Sequence, residues 1–248
     1  MNGKQLADRL IAAFLPDRCA FCGDVIAHNT EICPRCKNEL HRQEQPICYH
    51  CGRSKPHCQC KKDGKRKWDG ITAPLVYETE GVTGEAVRRL KRSNNRKNAA
   101  TLGREIACGV RDSFPDVAFE GVKPEPMHPK DKLKRGYSQS AWLAETVAEE
   151  LSIPFEDMLL KIERTQSQKG LLRQNRRANL RGAFDVNEMF DAPDKTVLLI
   201  DDVITTGATV DECATVLKIY GVRAVYVAAV CTRYKKGTEN HAGSKAGN

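Results

Sequence analysis

The sequence predicts an α/β protein in which a wound, mostly parallel sheet follows a small cysteine-rich metal-binding module. Three observations predict it. Val197-Leu198-Leu199-Ile200 is a continuous apolar run without the alternation of a half-solvated strand, as a strand buried on both faces should be. Apolar β-rich stretches alternate along the chain with stretches of helical periodicity, the pattern of a parallel sheet wound by helices. Eight of the 11 cysteines fall between positions 19 and 60, all in close pairs.

Residues 4–15 read as an amphipathic helix. The apolar stretch from Leu10 to Leu15 is too short to span a membrane and follows Asp8 and Arg9. Pro16, Asp17 and Arg18 are not the small residues of a processing site. The expectation is a cytoplasmic protein with no transmembrane segment. The cysteines come next, as Cys19-x2-Cys22, Cys33-x2-Cys36, Cys48-x2-Cys51 and Cys58-x-Cys60. A tetrahedral ion takes two sulfurs from each of two such knuckles, so four knuckles predict two structural zinc sites. Gly23 and Gly52 follow a second cysteine directly, where the turn benefits from positive φ. Sequential pairing gives Cys19/Cys22/Cys33/Cys36 and Cys48/Cys51/Cys58/Cys60. Interleaved pairing satisfies the same spacing, and His50 or His57 offers a substitute ligand. A disulfide framework is the rival reading, but nothing routes the chain to an oxidising compartment. The module holds few large apolar residues, so metal must supply its folding energy. Cys108, Cys213 and Cys231 stand alone in apolar surroundings and read as buried core thiols.

Lys61 to Lys67 is polar, basic and contains Gly64, so it reads as a linker or exposed hairpin. It divides the chain into a helix and metal module over 1–67, a sheet domain over 68–234 and a disordered tail over 235–248. After Trp68, Ile71 to Tyr77 is apolar and β-rich. Val82 to Arg92 has helical spacing, with Val87 and Leu90 inward and Arg88, Arg89, Lys91 and Arg92 outward. Ala99 to Val110 repeats the pattern with Leu102, Ile106 and Val110. Residues 114–130 are proline-rich, with one short strand predicted over Val117 to Phe119. Ser138 should cap a helix carrying Trp142, Leu143, Val147 and Leu151. Residues 163–182 are unusually polar. The strand at 197–200 then leads to a helix with Val210, Cys213 and Leu217 on one face, ended by Gly221. Ala224 to Val230 is the last strand.

Between the 197–200 strand and its helix lies the chemistry. Asp201 and Asp202 come first, then Thr205-Thr206-Gly207-Ala208-Thr209. Hydroxyls and a glycine at a helix N-terminus can gather N–H groups around one phosphate, and the helix dipole favours its charge. Two carboxylates cannot also bind phosphate; they suit sugar hydroxyls or a metal ion such as Mg²⁺. The formal net charge of +8 is compatible with a phosphorylated ligand or nucleic acid.

The strand, acidic pair and threonine loop resemble the signature of phosphoribosyltransferases. Two further segments narrow the resemblance: Lys134-Arg135-Gly136-Tyr137-Ser138-Gln139, and Arg164-Thr165-Gln166-Ser167-Gln168 with Arg177, Asn179, Gly182 and Phe184 downstream. Preceded by the cysteine module, this order is similar to the ComF family of competence proteins, of the ComFC type. The resemblance implies a type I phosphoribosyltransferase fold behind a double zinc ribbon. It implies phosphoribosyl pyrophosphate (PRPP) or a related ligand with Mg²⁺, and a role in DNA uptake and natural transformation. Carried over, Asp201 and Asp202 hold the ribose, and Thr205, Thr206, Gly207, Ala208 and Thr209 the 5′-phosphate. If ribosyl transfer follows, Lys91, Lys130, Lys134, Arg135 and Arg164 are the candidates for pyrophosphate. Family members usually carry Pro-Val-Pro where this chain has Pro124-Glu125-Pro126, and Glu125 opposes pyrophosphate by like-charge repulsion. The alternative is a non-catalytic protein that grips single-stranded DNA, or an adaptor docking a partner of the competence machinery. Low aromatic content (6 %) favours backbone contact over base stacking in that case.

Overall fold

The computed structural model describes residues 16–58, 60, 66–162, 183–187 and 193–233. The helix expected over 4–15, Lys61 to Lys65, the polar segment 163–182 with Arg164, and the tail from 234 lie outside the described residues.

Five parallel strands form the main sheet: β1 (Gly70–Thr72), β2 (Leu75–Tyr77), β3 (Gly121–Pro124), β6 (Thr196–Ile204) and β7 (Ala224–Arg233). The order is β1-β7-β6-β3, with β2 pairing further along β7. An antiparallel pair, β4 (Leu159–Lys161) and β5 (Phe184–Val186), stands apart from it. β6 shows why the sequence lacks alternation. Leu198 and Ile200 enter one core, Val197 and Leu199 the other, so both faces of the strand are covered.

The helices expected at 82–92, at 99–110, after Ser138 and after the threonine loop occur in that order, and the helix over Pro129–Arg135 is one the sequence did not show. Besides the short α1 (Pro34–Glu39) in the first ribbon, they are α2 (Val82–Arg92), α3 (Arg96–Ser113), α4 (Pro129–Arg135), α5 (Gln139–Leu151) and α6 (Ala208–Ile219). α3 starts three residues before the first apolar position, because the Asn95 side chain accepts from the Lys97 and Asn98 N–H groups. Ser138 Oγ accepts from Ala141 N at 3.3 Å and starts α5 as expected. Gly221, at φ +90°, follows α6. Among the described residues, no helix is long and apolar enough to cross a membrane.

Two expectations are corrected. Residues 117–119 form no strand; the strand of this region is β3, four residues later. Phe119 turns into an aromatic cluster, 5.4 Å from Tyr226 and 6.3 Å from Phe114, and the chain joins β6 only where Gly121 pairs with Val197. Cys108 is exposed, while Cys213 and Cys231 are buried. Helical geometry explains the difference: Ile106 and Val110 flank Cys108 by two residues, which puts them on the opposite face of α3.

The first ribbon does not stand apart. Cys19, Phe21 and Cys36 share one buried cluster with Val87, Leu90 and Leu102 of α2 and α3. The second ribbon lies over the β1–β7 edge, where Gly52 faces Ile71 and Thr232.

β3 also buries a charge. Lys123 is fully enclosed and ion-paired with Glu156, and burial lowers its pKa. Lys123→Ala would take from Glu156 its nearer cation and leave Lys195 at 3.9 Å, with an expected loss of about 1–3 kcal/mol in urea unfolding. A loss below about 1 kcal/mol would show that water replaces the lysine.

Candidate functional site

The cysteines come together as the sequential pairing predicts. Cys19, Cys22, Cys33 and Cys36 form one group, Cys48, Cys51, Cys58 and Cys60 the other, with all Sγ atoms of a group within 4.8 Å of one another. Sγ separations of 3.7 Å (Cys22–Cys33), 3.7 Å (Cys48–Cys60) and 3.5 Å (Cys51–Cys58) are close to the roughly 3.8 Å expected of sulfurs about 2.3 Å from a tetrahedral zinc. All eleven cysteines are unbonded to one another, so the disulfide reading finds no support. Neither His50 nor His57 belongs to a group. The donor sets fit structural zinc: four thiolates each, with no open position.

The acidic pair sits at the carboxyl end of β6, at the edge of the sheet where open α/β folds bind their ligands. Asp201 Oδ1 accepts from Asp202 N at 2.6 Å, and Asp202 Oδ2 lies 3.1 Å from Lys91 Nζ. Pro124 pairs with Ile200, and Glu125 N then donates to the Ile200 carbonyl at 2.7 Å. The ladder therefore sets Glu125 beside Asp201. Burial, helped by the charges of Asp202 and Glu125, pushes the Asp201 carboxyl well above its ordinary value. Burial also pushes Glu125 up to about 7, against the pull of Lys161 and with the repulsion of Asp202.

Past Ile204 the chain turns through Thr205 and Thr206 into α6. Gly207 precedes the helix at φ +77°, and the Thr206 hydroxyl accepts from Ala208 N at 3.3 Å. The positive φ demands glycine, and so does space: a Cβ on Gly207 would come 2.8 Å from the Trp68 ring. Gly207→Val should therefore both distort the loop and lower stability by about 2–4 kcal/mol, read as a fall in the thermal midpoint.

These elements enclose a cavity of about 320 Å³ lined by Asp201, Asp202, Thr205 and Thr209 with Lys91 and Glu125. A hollow of about 210 Å³ continues from the same acidic residues toward Arg135 and Lys161. The fold thus gathers Asp201, Asp202, Thr205, Thr209, Lys91 and Arg135. Thr206 and Gly207 border a different cavity, on the ribbon side of the loop. Ala208 is exposed at the start of α6, and Lys134 is exposed on α4 outside the hollow. Sequence reasoning missed Lys161, at the end of β4, and Arg233, at the end of β7 over the Tyr77 ring. Their position at strand ends is the only signal that would have found them. Chemically, the cavity offers carboxylates for hydroxyls or a hard cation, hydroxyls beside a helix N-terminus for a phosphate, and cations on the far wall.

Comparison with known proteins agrees in order along the chain. Residues 10–65 match the double zinc ribbon domain and residues 138–246 the phosphoribosyl transferase domain. Competence protein F of Haemophilus influenzae is 29% identical over 228 residues, covering 86% of this chain and 96% of that protein. DNA utilization protein YhgH of Escherichia coli (strain K12) is 24% identical over 226 residues, covering 88% and 97%. Among solved structures, the allosteric regulatory enzyme of purine biosynthesis is 18% identical, with a TM-score of 0.40 over 58% of this chain and 30% of that one.

Proposed function

We propose that this chain, which belongs to the ComF family and joins a double zinc ribbon to a phosphoribosyltransferase domain, binds PRPP or a related phosphoribosyl compound with Mg²⁺. One observation carries the reading: Asp201, Asp202, Thr205 and Thr209 line one cavity at the carboxyl end of β6. Asp201 and Asp202 take the ribose hydroxyls, and the loop from Thr205 to Thr209 takes the 5′-phosphate. Mg²⁺, when bound with the ligand, neutralises pyrophosphate charge. Lys91 releases Asp202 and turns to the pyrophosphate, joined by Arg135. The relatives named for competence and DNA utilisation extend the proposal to a role in DNA uptake.

Calorimetric titration of PRPP and Mg²⁺ into the zinc-loaded chain tests it. Binding is expected in the wild type and a loss of at least about 100-fold in Asp201→Ala/Asp202→Ala, since the hydrogen bonds to both hydroxyls go together. Absence of binding in the wild type sinks the proposal.

A second reading, binding without ribosyl transfer, is favoured by Glu125. A third carboxylate faces the acidic pair, on the side where a leaving pyrophosphate needs positive charge. Pyrophosphate release under saturating PRPP separates the two readings.

A further inference from the structure

The loop has a second face. Thr205 and Thr206 border a cavity of about 230 Å³ between the loop and the second ribbon. Arg53, Arg66 and His50 line it beside Cys51 and Cys60 of the second ribbon, and among the described residues no carboxylate does. In the ribose cavity the cations meet three carboxylates instead.

The wall is organised around Trp68. Its ring lies against Gly207, and the Arg66 guanidinium stacks over it at 4.9 Å while Nη2 donates to the Thr206 carbonyl at 3.2 Å. Lys67 N donates to Asp211 Oδ1 of α6 at 2.7 Å and holds this segment to the helix. Trp68 is only 7% exposed, yet its indole N–H has no acceptor among the described residues. An indole nitrogen is a donor only, so Trp68, whose ring lines the cavity, keeps a buried donor without a partner among the described residues. Two guanidinium groups and the threonine hydroxyls around one hollow form a donor set for a phosphate.

We propose that this cavity is a second phosphate-binding subsite, built jointly by the second ribbon and the ribbon side of the loop. Its ligand is a phosphate group, either free or within a polynucleotide backbone. The site does not depend on PRPP occupying the ribose cavity.

Trp68 fluorescence tests it in the zinc-loaded full chain. The chain has two tryptophans, so Trp142→Phe leaves Trp68 as the single indole. Inorganic phosphate and a 5′-phosphorylated oligothymidylate are each titrated. A saturable change in Trp68 emission is expected, weakened at least tenfold by Arg66→Gln, whose side chain is exposed and whose loss should leave the fold intact. Arg53→Gln should weaken it in the same direction, with zinc content and melting confirming that each variant folds. Asp201→Asn/Asp202→Asn should leave the response unchanged. A response to inorganic phosphate assigns a free anion, and a response to the oligonucleotide alone assigns a phosphodiester; either supports the subsite. Three results overturn it: no response to either probe, as repulsion by zinc-bound thiolates of the second ribbon would produce; a response indifferent to both arginines; or one abolished by the aspartate variant.

Discussion

Loss of zinc from the first ribbon should unfold the sheet domain with it. Cys19, Phe21 and Cys36 are buried in the same cluster as Val87, Leu90, Leu102 and Ile200. Without the metal, four thiols lose their reason to converge, and Phe21 leaves a core that cannot close over the gap. Structural zinc contributes roughly 10–16 kcal/mol to isolated ribbon-like peptides, against a whole-domain stability of about 5–15 kcal/mol. Cys36→Ser should therefore abolish a cooperative transition or lower the thermal midpoint by at least about 10–20 °C. Cys60→Ser should cost less. Ile47 and Cys48 of the second ribbon are buried, but neither belongs to the two main core clusters. Calorimetry with metal analysis on both variants decides the matter. Equal midpoints would show that the first ribbon is no more a part of the core than the second.

Glu125→Gln should stabilise the ligand-free protein at pH 8 and flatten its pH dependence. In the folded chain Glu125 keeps its proton up to about pH 7, against an ordinary value of 4.5, chiefly because it is buried. Between those values the folded state holds a proton that the unfolded state has released. Stability is therefore greatest below about pH 4.5 and falls as pH rises to about 7, by up to about 3 kcal/mol. Glutamine keeps the shape and never ionises, so this part of the slope should vanish, with a gain on the order of 1–3 kcal/mol at pH 8. Asp201, also raised by burial, slopes in the same direction and will leave a residual dependence in the variant. Urea unfolding of both proteins at pH 5.5 and pH 8 measures the difference. Parallel curves would mean that Lys91 and Lys161 hold Glu125 ionised throughout. The same titration qualifies the repulsion expected from the sequence: Glu125 does face the acidic pair, but near neutrality it carries only part of its charge.

Much of the fold was legible because its signals are local. The run from Val197 to Ile200 has to be a doubly covered strand, since no polar face interrupts it. Val82 to Arg92 shows its buried and solvated faces in one reading, and Ser138 and Gly221 mark helix ends by their own backbone chemistry. Where the signal was weak, packing decided. Val117 and Phe119 look like a strand, but Phe119 serves an aromatic cluster, and β3 forms instead around a buried lysine. Cys108 looked buried by its neighbours in sequence and is exposed by its angle on α3.

By itself the sequence determined the strand, acidic pair, threonine loop and helix, and the four cysteine knuckles, because each is a contiguous segment whose geometry follows from its own residues. Only the tertiary structure decided which knuckles share a metal, that Lys91 meets Asp202, that Glu125 and Lys161 join the same hollow, and that Arg53, Arg66 and Trp68 face the back of the loop. Those arrangements depend on distances between segments tens to over a hundred residues apart, which sheet register and core packing set and no local pattern encodes.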